Sequence, residues 1–390
     1  MEYKQKDQLG QQSIAEPQPA SRRPLKKYMF FGVVALLALV GAICIGWWLG
    51  QSNKKATQTP AQANSTSLPA QENIAPVPNG LALDPTKDYG NKYANGILPV
   101  GDNKYTTAGA EKGKVYVCNA NFVSASQAGA QTRGPWFVGT TQWDVNKKAK
   151  VGGSVDWQER LSVAVKNGKR VLDTNNLPNH VTGVYPVRSS DSAYAYDRNP
   201  NVISGQSLVY TLEASPAYGA PNCMGGEVGV MLTGVALFNG FDAGGRDAGA
   251  WEVQDNCDGH PQGSGIYHYH TLSRCISEVS VSTVIGYALD GFPITGPRAP
   301  KGTLTTDDLD ECHGIISSFT QDGKGVTGYH YVMTQDFPYS VSCFRAKPIT
   351  SPGQHAGGQQ SGQQLQQGAP AGSPMQGSGM PPKNAPPPPL

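Results

Sequence analysis

Two apolar patterns run along this chain, and they predict different elements. From Tyr28 to Leu49 no residue is charged. As a helix rising 1.5 Å per residue, these 22 residues reach about 33 Å, enough for a hydrocarbon core of about 30 Å. Arg22, Arg23, Lys26 and Lys27 precede the stretch, whereas only Lys54 and Lys55 follow it closely. This positive-inside bias predicts a single-pass cell-membrane helix with residues 1–27 cytoplasmic and the remainder extracytoplasmic. Trp47 and Trp48 fall near the outer interface, where amphipathic rings are favoured. The competing reading is a cleaved signal peptide, but the nearest small-x-small site, Ala61-Gln62-Ala63, lies well past the lysine pair.

Beyond a linker at 50–81, rich in Ser, Thr, Gln, Asn, Ala and Pro, the pattern changes to that of strands through 82–348. Leu161, Val163 and Val165 alternate with polar or small residues, and Asn167-Gly168 then supplies a hairpin turn before Lys169 to Leu172 returns. Further strand windows are 114–118, 136–143, 208–212, 228–238, 265–270, 284–289 and 328–333, none with a sustained 3.6-residue period. The expectation is an all-β, sandwich-like domain. Residues 349–390, dominated by Gly, Gln and Pro, form a low-complexity tail that cannot build a core.

Composition sharpens this picture in one respect. Charged residues make up only 15% of the chain and the formal net charge is +2, so no field suited to nucleic acid is present. Of the seven cysteines, Cys44 lies in the apolar run, while Cys118, Cys223, Cys257, Cys275, Cys312 and Cys343 follow it. Six cysteines beyond a membrane helix suggest three disulfides in an oxidising compartment, with 15 pairings open. The absence of C-x-x-C argues against a zinc ribbon or a thioredoxin-like site.

The candidate chemistry centres on Tyr267-His-Tyr-His270. On a strand His268 and His270 share one face and Tyr267 and Tyr269 the other, so two imidazoles can converge on one ion. A diverged repeat follows: Asp310-Glu-Cys-His-Gly314 echoes Asp255-Asn-Cys-Asp-Gly259, Tyr329-His-Tyr331 echoes Tyr267-His-Tyr269, and Gly286-Tyr-Ala-Leu289 echoes Gly234-Val-Ala-Leu237. This suggests an internally duplicated domain and favours Cys257 with Cys275 and Cys312 with Cys343, each pair enclosing one copy. Cys118 is then left with Cys223. If the two hairpins face each other, His330 becomes the third ligand beside His268 and His270, with His260 or His313 in reach. Imidazoles without free thiols point to copper or zinc.

The run Leu237-Phe-Asn-Gly-Phe-Asp-Ala-Gly-Gly-Arg-Asp-Ala248, then Asp258-Gly-His-Pro261, Tyr267-His-Tyr-His270, Gly286-Tyr-Ala-Leu-Asp-Gly-Phe-Pro293, Leu309-Asp-Glu-Cys-His-Gly314 and Tyr329-His-Tyr331 resembles the YHYH family in order and spacing. The resemblance extends over roughly 115–346 and implies an extracytoplasmic domain, without an activity to carry over. Thr295, where an aromatic residue is expected, and Ala346, where glycine is expected, depart from the pattern, and neither is expected to touch the histidines.

Three readings therefore stand. The first is a metal-binding module, the second a structural domain or one recognising a carbohydrate or protein, and the third a metal-dependent enzyme with Glu252 or Asp255 as base. No catalytic residue is assigned. Ser264 lacks a G-x-S-x-G context. Asp242, Asp258 and Asp290, in Gly-rich turns, read as turn acceptors, and Arg246 as a partner for a neighbouring carboxylate.

Overall fold

The computed structural model describes residues 81–124, 130 and 132–352. Residues 1–27, Tyr28–Leu49 and most of the expected linker and tail lie outside them. Among the described residues no helix is long and apolar enough to cross a membrane.

The regular elements of the domain are almost all β-strands, joined by long turns and loops. Its strands are β1 (Ile97–Pro99), β2 (Tyr105–Thr106), β3 (Val115–Tyr116), β4 (Phe137–Val138), β5 (Gln142–Asp144), β6 (Leu161–Lys166), β7 (Lys169–Thr174), β8 (Leu208–Glu213), β9 (Glu227–Met231), β10 (Ala236–Phe238), β11 (Gly259–Pro261), β12 (Tyr267–Tyr269), β13 (Val284–Ala288), β14 (Pro293–Thr295), β15 (Gly314–Gln321) and β16 (Lys324–Val332). One turn of α-helix, α1 (Ala248–Trp251), interrupts them.

Eight strands form the central sheet in the order β11-β12-β10-β9-β13-β14-β16-β15. This order is a palindrome. Each half consists of an antiparallel hairpin, β9–β10 or β13–β14, whose second strand runs parallel to one strand of another hairpin, β12 of β11–β12 or β16 of β15–β16. The halves meet through antiparallel β9 and β13, where Val230 lies opposite Tyr287, and Gly229–Ala288 and Met231–Gly286 flank that pair symmetrically.

The duplication expected from the repeat is thus present in the topology, but its seam is elsewhere. The histidine hairpins occupy opposite edges of the sheet rather than facing each other. The echo between Gly234-Val-Ala-Leu237 and Gly286-Tyr-Ala-Leu289 is also out of register. By strand pairing, Gly286 corresponds to Gly229 and Ile294 to Leu237. Two parallel pairs also make the sheet of this all-β domain mixed.

Strands β6, β7 and β8 form a smaller antiparallel sheet laid over the central pair. Leu172, Tyr210 and Leu212 are fully buried, and the Tyr210 hydroxyl donates to Glu227 Oε1 at 2.7 Å. The Arg170 guanidinium lies 4.3 Å from the centre of the Tyr287 ring and forks onto Asp322 at 2.7 and 2.8 Å. The β6–β7 hairpin turns at Asn167 and Gly168, both with positive φ, as their sequence predicts. Yet Val163 and Val165 of β6 remain 41% and 50% exposed. As the outer strand, β6 extends past the layer that would bury its apolar row.

The three disulfides are Cys118–Cys223, Cys257–Cys275 and Cys312–Cys343, the pairing favoured from the repeat. The fold also runs past residue 348: the Ile349 amide donates to Leu289 O at 2.9 Å, and the Ser351 hydroxyl donates to Glu227 Oε2.

Candidate metal centre

Each half of the central sheet is built on the same aspartate–cysteine–glycine–tyrosine unit. Asp255 Oδ1 accepts from the Cys257 amide at 2.8 Å and the Gly259 amide at 3.3 Å, and the Tyr267 hydroxyl donates to both carboxylate oxygens. Asp310 does the same with the Cys312 and Gly314 amides and the Tyr329 hydroxyl. Glycine is required because a Cβ on Gly259 or Gly314 would stand 2.2 or 2.1 Å from the ring or hydroxyl of its tyrosine. These aspartates are turn acceptors, as is Asp242, which accepts from the Gly244 and Arg246 amides and pairs with the Arg246 guanidinium. Asp258 differs, holding Lys150 and Arg274 in ion pairs.

The tyrosines fill one face of β12, and the opposite face carries the histidines. Strand pairing places His260 of β11 directly across from His268 of β12, and His270 follows two residues on. All three are buried, at 5%, 3% and 3% exposure. Their ligand atoms lie within 4.8 Å of one another, a group that can hold a metal ion. The His268 and His270 Nε2 atoms are 3.1 Å apart. His268 Nδ1 faces Ile266 O at 3.2 Å and His270 Nδ1 faces Asn239 O at 2.6 Å. A ring that donates from Nδ1 to a carbonyl leaves the Nε2 lone pair free, the tautomer a metal ligand needs.

Glu252, immediately after α1, stands beside two of the three rings. Its Oε2 lies 3.2 Å from both His260 Nε2 and His270 Nε2. Neither Glu252 Oε2 nor His260 Nε2 makes a hydrogen bond. Burial alone would raise the Glu252 carboxyl, but the charges of His260 and His270 outweigh it and hold it well below the usual range. Burial also opposes charge on His260, yet Glu252 overrides it and the ring lies above its ordinary value. His268, buried and beside the other two rings, is pushed well down. Phe238 covers it, with ring centres 4.2 Å apart.

The second half acts as an internal control. By register, Ile315 stands where the first half has His260, His330 where it has His268, Val332 where it has His270, and Thr295 where it has Phe238. His330 has a hydroxyl at each ring nitrogen, Thr295 Oγ1 at 3.0 Å and Ser317 Oγ at 2.8 Å. Burial lowers it to about 4.

His330 is therefore a core histidine, and the third ring beside His268 and His270 is His260 instead. Five strand spacings separate β12 from β16, roughly 24 Å at the usual inter-strand distance. Thr295 does touch a histidine, contrary to expectation, because it supplies the polar partner that Phe238 cannot. His313 is likewise occupied by Thr334 Oγ1 at 3.0 Å, and His180 by the Tyr269 hydroxyl and Val181 O.

Glu252 was expected only as a base, because it and His260 lie on different elements joined by a turn, where no period relates them. Lys148 carried no sequence signal at all. Burial pushes its amine down to about 7, and it donates to Gly249 O and Gln254 Oε1. A separate open cavity of about 330 Å³, lined by Asp156, Trp157, Gln158, Glu159, Pro178, Asn179 and His180, includes none of the clustered histidines.

Fold and site together define a disulfide-braced, internally duplicated β domain with a buried histidine cluster in one half. The family model described as "YHYH protein" matches residues 210–306, and the chain carries a YHYH domain there. The match includes Glu252, His260, His268 and His270 and ends before Asp310 and the second tyrosine–histidine–tyrosine run. No curated protein and no solved structure matches the chain.

Proposed function

We propose that this protein is a membrane-anchored, extracytoplasmic YHYH domain that binds a transition-metal ion, copper or zinc, through His260, His268 and His270. The observation that carries this reading is the contrast between the two halves. Where the repeat keeps a single histidine, hydroxyls satisfy both ring nitrogens; where it keeps three, the rings converge and His260 Nε2 and Glu252 Oε2 are left without hydrogen bonds. A buried carboxylate and imidazole in contact without a well-aligned hydrogen bond are costly, and an ion between them removes that cost. The full-length chain, extracted in detergent after expression through an oxidising compartment, is expected to carry about one metal ion per chain by elemental analysis. Retention should weaken as pH falls through the histidine range, since a protonated imidazole cannot ligate. A chain that carries no ion even after loading with zinc and copper would end this reading.

The placement outside the cytoplasm rests on the three disulfides and on the basic residues before Tyr28. A reporter active only in the cytoplasm, fused after Leu390, should be silent. Strong activity would reverse the orientation.

A further inference from the structure

We propose that Glu252 is the fourth ligand of this centre and that the ion is zinc(II), held in a closed tetrahedral site with no open position. This rests on the metal reading above and deepens it. Four donors around an ion at zinc's bond length of about 2.0 Å sit about 3.3 Å from one another when the geometry is tetrahedral. Three edges of the tetrahedron are visible here: His268 Nε2 to His270 Nε2 at 3.1 Å, and Glu252 Oε2 to His260 Nε2 and to His270 Nε2 at 3.2 Å each. Along these three of its six edges the donors already stand at nearly the spacing a tetrahedral ion imposes.

The chemistry of the set points the same way. Imidazole and carboxylate suit zinc(II); the six cysteines of the domain, which would favour copper(I), are consumed in disulfides; and the visible edges of 3.1 and 3.2 Å lie nearer the tetrahedral spacing than the about 2.8 Å between adjacent donors of a tetragonal copper(II) site. Structural zinc sites are closed, whereas catalytic ones keep a position for water. With Glu252 in the fourth place and all four residues at least nine-tenths buried, the ion ties the end of α1 to the edge hairpin β11–β12. It acts as a staple, which sets aside a metal-bound water as nucleophile.

Cobalt(II) substituted into the full-length chain reports coordination number and access directly. The wild type is expected to give the intense visible bands of four-coordinate cobalt, unchanged by added azide. Glu252→Gln should lower zinc affinity at least 10-fold and make the cobalt spectrum respond to azide, and Glu252→Asp should restore part of the affinity. A wild-type spectrum that shifts with azide, which needs no variant to interpret, would overturn the closed site while leaving the three-histidine reading intact. So would Glu252→Gln with wild-type affinity and spectrum. A wild type that takes up neither zinc nor cobalt would remove both.

Discussion

Replacing His268 and His270 together by alanine is expected to reduce metal content from about one ion per chain to none, whereas His330→Ala should leave it unchanged. The two histidines of β12 supply the pair of Nε2 atoms 3.1 Å apart; without them His260 and Glu252 alone cannot hold a borderline ion against water and buffer. His330 sits at the position equivalent to His268 but serves Thr295 and Ser317. Its loss leaves the buried Ser317 hydroxyl without its partner, while Thr295 Oγ1 keeps its longer contacts to Gly296 O and Tyr331 O at 3.5 and 3.4 Å, a cost of about 1–3 kcal/mol in stability, not in metal. The readouts are elemental analysis and the metal-dependent rise in unfolding temperature, since an ion at 1,000 times its dissociation constant adds about 4 kcal/mol. The double variant should lose that rise and keep its three disulfides. Metal retained by the double variant, or lost from His330→Ala, would refute the assignment.

The second large effect is on stability as a function of pH, and it arises far from the histidines. Glu227, on β9 at the seam between the halves, is 4% exposed. Burial pushes its carboxyl from 4.5 up to about 7, despite the hydroxyls of Ser351 and Tyr210. The folded protein therefore holds this proton more tightly than the unfolded chain. The resulting stabilisation is fully present below pH 4.5 and is lost as pH rises through about 7. The full shift corresponds to about 3 kcal/mol, or roughly 6–12 °C in unfolding temperature for a domain of this size. Glu227→Gln keeps an acceptor for Tyr210 but cannot ionise, so the wild type should lose stability relative to this variant between pH 4.5 and 7.5. Taking the difference cancels the contributions of Asp247 and Asp290, which burial raises to about 6. A wild-type minus variant difference that stays flat over this range would mean that Glu227 is ionised throughout.

Much of this architecture is legible in the chain because it is local. Period-two alternation and Asn167-Gly168 specify a hairpin through backbone geometry alone. The H-x-H spacing puts His268 and His270 on one face of a strand whatever the strand pairs with. The repeat of aspartate, cysteine, glycine and tyrosine marks two copies of one unit, and enclosure of each copy by its own cysteines anticipates the disulfides. Strand β15 left no clear signal, because Gly314-Ile-Ile-Ser-Ser-Phe-Thr-Gln321 mixes apolar and polar residues without strict alternation.

Only the tertiary structure decided which pieces meet. Local spacing does not encode strand order, so it could not show that β9 and β13 form the seam and carry the two histidine hairpins to opposite edges. That single fact makes His330 a core residue and His260, across the ladder from His268, the third histidine of the cluster. Glu252 joins them only because α1, whose N-cap Asp247 is held by the Tyr339 hydroxyl and the Gly101 amide, ends against β11 and β12. A residue's place along the chain determines its face on a strand, whereas the convergence of these side chains depends on contacts among segments that the chain keeps apart.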